Sequence, residues 1–92
     1  MTTTSVTGME TWRELIMDEM KEHGETWSDV RSMVGSQYFN LPFDASYGSV
    51  EGKPFTVWTA KRVYFPVCYD GAEACGSVSI VPDGKATFHM GR

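Results

Sequence analysis

Apolar positions along the chain fall into two periods. Between residues 11 and 24, Trp12, Leu15, Ile16 and Met20 recur at i, i+3, i+4 and i+8 with polar side chains between them. That spacing lines one face of a helix. Thr11 and Glu14 stand at its start with the spacing of a capping box, in which Thr11 accepts from the Glu14 amide and Glu14 reaches back to Thr11. Lys21 and His23 fall in the last turn, where the helix dipole favours cations, and Gly24 supplies a left-handed stop. The pattern predicts a helix over 11–23. Thr26-Trp27-Ser28-Asp29 repeats the start signal, and Trp27, Val30, Met33 and Val34 form a second short apolar stripe ended by Gly35. A second helix is expected there.

After residue 54 the period becomes two. Phe55–Thr59 and Val63–Tyr69 alternate, with Thr59 to Arg62 as the turn between them. Read this way, Phe55, Val57, Val63, Phe65 and Val67 face inward, and Trp58, Tyr64 and Tyr69 share the opposite face. Pro66 cannot donate to a ladder, so the second strand is an edge or a bulge at that point. Asp70-Gly71 marks a turn and Ser77–Val81 a third strand; Pro82-Asp83-Gly84-Lys85 marks another turn and Ala86–Met90 a fourth strand. Residues 35–54 are irregular but hold Tyr38, Phe39, Leu41, Phe43 and Tyr47, which predicts a loop packed against the body. The expected fold is α+β, with two N-terminal helices packed on a three- to four-stranded antiparallel sheet. Residues 1–10 read as a flexible tail and 11–92 as a single α+β domain.

Composition narrows the functional classes. The chain has 92 residues, 41% of them apolar, with three Trp, four Tyr and five Phe. It is too short for two domains and too rich in aromatics for a disordered chain. No apolar run approaches a membrane span, so no membrane partner is expected. The net charge is −4, and it is unevenly placed. Residues 1–46 carry eight acids and three bases, whereas 47–92 carry four acids and five bases. The two-helix corner invites a DNA-binding reading, but its only base in the second helix is Arg31. A recognition helix needs donors aimed at base edges, and a net-acidic chain lacks the basic footprint, so no direct nucleic-acid contact is expected. Two cysteines are too few for a disulfide scaffold, and residues 1–8 lack the basic and apolar regions of a signal peptide. The cytoplasm and reduced thiols are expected.

No constellation of catalytic residues stands out. Cys68, Cys75, His23 and His89 do not have the spacing of a zinc site, so no metal and no cofactor is expected. Cys68 or Cys75 with His89 and Asp70 is the one formal nucleophile set, and it lacks an elbow or an oxyanion nest. Asp70 and Glu73 read as turn acids facing water rather than as a general acid–base pair. Gly48–Lys53 is not followed by Ser or Thr and a helix, so it is not a phosphate loop. The chain is therefore not expected to be an enzyme.

Two surfaces remain. Glu10, Glu14, Asp18, Glu22 and Glu25 run along one side of the first helix, either as a solvated face or as a charge decoy for a nucleic-acid groove. Trp58, Tyr64 and Tyr69 with Arg62 have the composition of a binding hot spot, or else lie under the 35–54 loop. The candidate partner-binding residues are Glu14, Asp18, Glu22, Glu25, Trp58, Arg62, Tyr64 and Tyr69.

Several segments together resemble a family of small proteins encoded by tailed bacteriophages. They are Thr11-Trp12-Arg13-Glu14-Leu15-Ile16, Asp18-Glu19-Met20, His23-Gly24-Glu25-x-Trp27-x-Asp29-Val30, Phe43-Asp44, Tyr47-Gly48, Glu51-Gly52-x-Pro54-Phe55-Thr56-x-Trp58-Thr59, Arg62-Val63-Tyr64-Phe65-Pro66-Val67 and Tyr69-Asp70-Gly71-Ala72-Glu73. The likeness covers most of residues 11–84. It is specific for the family and says nothing about a reaction. At Ala74-Cys75 the relatives carry a bulky aromatic, which weakens any role resting on Cys75. The resemblance implies a phage product in the host bacterial cytoplasm that acts by stoichiometric binding to a host protein. An antidefence role against a defence nuclease complex, such as CRISPR–Cas inhibition, is its most concrete form. A virion assembly or structural component, with self-association, and a small-ligand-binding protein remain the alternatives.

Overall fold

The structure, a computed structural model, describes residues 9–44, 52–69, 72–82 and 84–87. In chain order the elements are β1 (Met9–Glu10), α1 (Trp12–Glu22), β2 (Val30–Val34), β3 (Phe43–Asp44), β4 (Thr56–Thr59), β5 (Arg62–Tyr69) and β6 (Ala72–Ser79). Four strands form an antiparallel sheet in the order β2-β4-β5-β6, and β1 pairs with β3 in a separate ribbon. Met9 and Glu10, assigned to the tail by the sequence, are thus paired backbone; residues 1–8 lie outside the described residues.

The first helix forms as expected. The Glu14 amide donates to Thr11 Oγ1, the Thr11 amide donates to Glu14 Oε1, and Trp12, Ile16 and Met20 are buried. Past its end, the Gly24 amide donates to the Lys21 carbonyl and the Glu25 amide to the Met20 carbonyl. This is the paired bonding of a Schellman stop, and Gly24 takes the left-handed φ of 71° that it requires.

The expectation of two helices is overturned: α1 is the only α-helix among the described residues. The start signal at Thr26 is genuine, since the Thr26 amide donates to Asp29 Oδ2, but it makes only one 3₁₀ turn, Trp27–Asp29. Val30–Val34 then becomes β2, paired with β4. Its valines favour an extended backbone, and the sheet partner outweighs a three-residue nucleus. The fourth strand is therefore β2, at the other edge of the sheet from β6. Ala86 and Thr87 are not in a strand, and the rest of the expected 86–90 strand lies outside the described residues. The expected 77–81 strand is instead β6, which begins five residues earlier.

The β4–β5 turn also corrects the assignment of faces. Trp58 pairs with Val63 and Val57 with Tyr64. Opposed residues share a face, so Tyr64 lies with Val57 on the inner face, and Trp58 lies with Val63, Phe65 and Val67 on the outer one. The inner face carries the core: Trp12, Ile16, Met20, Phe39, Phe43, Phe55, Val57, Tyr64 and Cys75. None of the outer-face residues belongs to it. Pro66 causes no break, because β4 pairs with β5 only at Val63 and Tyr64, leaving β5 an edge at the proline. Of the aromatic and apolar residues expected to pack this stretch down, Phe39 and Phe43 are buried, and the Trp12 ring meets Phe43 and Phe55 at centroid distances of 4.8 and 4.7 Å, but Leu41 is exposed. Tyr47 lies outside the described residues.

Candidate interaction surface and the polar centre behind it

The inner face is apolar at one end and polar at the other. At the polar end, two carboxylates from the α1 side reach hydroxyls of the sheet. Ser77 Oγ donates to Glu19 Oε2 at 2.8 Å, and Arg62 Nε donates to Ser77 Oγ at 3.0 Å. His23 Nε2 lies 3.1 Å from the same Glu19 oxygen. Beside this chain, Thr59 Oγ1 donates to Glu25 Oε2 at 2.9 Å, and the Tyr64 hydroxyl donates to Glu25 Oε1. Thr59 Oγ1 also accepts from the Lys61 and Arg62 amides, which shapes the β4–β5 turn. Burial, the bond to Glu25 and that carboxylate's charge push the Tyr64 hydroxyl pKa well above its ordinary value.

This centre contains Ser, His, Glu, Tyr and Arg, but its geometry is structural. Ser77 is buried and gives its proton to a carboxylate rather than to the imidazole, and Tyr64 is fully buried. Neither presents a nucleophile to a substrate. Cys68 and Cys75 are free thiols, and Cys75 is buried. Burial and the charge of Glu19 push the Cys75 thiol up to about 12. Among the described residues no cluster of His, Cys, Asp and Glu is placed to hold a metal, and no helix is long and apolar enough to cross a membrane. Asp70 and His89 lie outside the described residues.

Glu73 is not a turn acid facing water. It is 6% exposed, and its two oxygens accept from the Gly52 amide at 2.9 and 3.2 Å. Trp12 Nε1 donates to the neighbouring Lys53 carbonyl at 2.9 Å. Together they tie residues 52–53 to α1 and β6.

The candidate binding residues separate into distinct places. Glu14, Asp18 and Glu22 are exposed on α1, as expected for a surface. Glu10 stands next to them at the end of β1. Partial burial, and then the charges of Glu14 and Asp18, raise the pKa of its carboxyl, so Glu10, Glu14 and Asp18 share one field. Glu25 does not join that surface, because its carboxylate is engaged by Thr59 and Tyr64. Tyr64 is fully buried, so it cannot form a hot spot with Trp58. Arg62 faces inward to Ser77. Trp58 is half-buried on the outer face, and the Tyr69 side chain lies outside the described residues.

Sequence reasoning missed Glu19, Ser77 and the role of Glu73. The available signal was the alternation Glu73, Cys75, Ser77, Ser79, which marks β6 as carrying a partly polar inner face. In comparisons with protein-family models, curated proteins and solved structures, nothing matches this chain.

Proposed function

We propose that this protein is a bacteriophage accessory protein that acts by stoichiometric binding to a bacterial host protein in the host cytoplasm, with inhibition of a CRISPR-type defence nuclease complex as its most concrete form. The observation that carries the reading is the division of labour among the acids around α1. Glu19 and Glu25 turn inward and fasten the end of the helix to the sheet. Glu10, Glu14, Asp18 and Glu22 stay outside, close enough that Glu14 and Asp18 raise the Glu10 carboxyl pKa. Fixing one pair of carboxylates fastens the end of the helix to the sheet, and so sets where its exposed acids stand. A negative surface of this kind suits a basic patch, including one that a nuclease uses for nucleic acid.

A binding role also fits the polar centre, where every hydroxyl and carboxylate described above serves to join elements. The test is co-purification. The tagged protein is used as bait in nuclease-treated lysate of bacteria carrying defined defence systems, and the stoichiometry of any complex is measured. A one-to-one complex with a host protein that survives nuclease supports the reading. A sharp homo-oligomer with no host partner contradicts it and favours an assembly role.

A further inference from the structure

We draw no further inference here: the strongest candidate, the apolar outer face of the sheet around Trp58, Val63, Phe65, Val67 and Val78, is half-buried and carries nothing, because nothing in the structure shows what covers it.

Discussion

Glu25 and Tyr64, 39 residues apart in sequence, are joined by a hydrogen bond from the tyrosine hydroxyl to the carboxylate. Glu25 is the third residue past the helix end, and the Schellman stop at Gly24 sets where its backbone lies. A local backbone device therefore sets a contact between the helix and the centre of the sheet.

Removing that hydroxyl tests the joint. Tyr64→Phe should cost about 1.5–3 kcal/mol, the usual range for a hydrogen bond to a charged group, measured by urea unfolding. The same residue imposes a pH dependence. Its folded pKa lies above the ordinary 10.0, so the folded protein keeps a proton that the unfolded chain loses. Stability is therefore full below about pH 10 and falls as pH rises towards the folded value. Tyr64→Phe should flatten that part of the profile; an unchanged slope would contradict the assignment.

Glu10 gives the opposite end of the pH scale. Its carboxyl pKa is raised by burial, Glu14 and Asp18. The folded state then binds this proton more tightly than the unfolded state, so the contribution is full below about pH 4.5 and is lost as pH rises through the folded pKa. Glu10→Gln should raise stability at neutral pH relative to the native chain and leave it little changed in acid. Chemical unfolding at both pH values decides it.

Gly52 marks a close approach rather than a turn. A Cβ added there would lie 2.5 Å from Trp12 Cζ2 and 2.7 Å from Glu73 Oε1. Both neighbours are buried and hydrogen-bonded, so neither can move cheaply. Gly52→Ala should destabilise by about 1–3 kcal/mol, as overpacking does. A melting temperature equal to that of the native chain would show that residues 52–53 are not held as described.

The two thiols should differ in reactivity. Cys75 is buried with its pKa pushed up to about 12, whereas Cys68 is half-buried. Alkylation at neutral pH should modify Cys68 first, and Cys75 only as the protein unfolds. Peptide mapping after timed alkylation, with and without denaturant, reads this directly; early labelling of Cys75 in the native protein would contradict its placement.

The features legible in the sequence are those set by neighbours in the chain. The Thr11–Glu14 box, the stripe from Trp12 to Met20 and the stop at Gly24 are all local, and each appears as read. The Thr26–Asp29 box is equally local and also forms, yet the residues after it pair with β4, a partner more than twenty positions away. Local propensity could not report that competition. The face of Tyr64 depended on the register across the β4–β5 turn, and pairing Trp58 with Val63 places residues of opposite parity together. At the candidate site, the acids on α1 were legible as a stripe. Which of them turn inward was not, because Ser77, Thr59 and Tyr64 reach them only through the fold.

Asp18 and Glu22 are like charges at i and i+4, an arrangement that weakens a helix by about 0.2–0.5 kcal/mol. The proposed binding role gives this costly pair a use. The direct measurement is the affinity of the purified host complex for the native chain and for Asp18→Asn with Glu22→Gln, alongside the melting temperature of each. Binding should fall sharply while the melting temperature stays level or rises. Undiminished binding by the variant would contradict it.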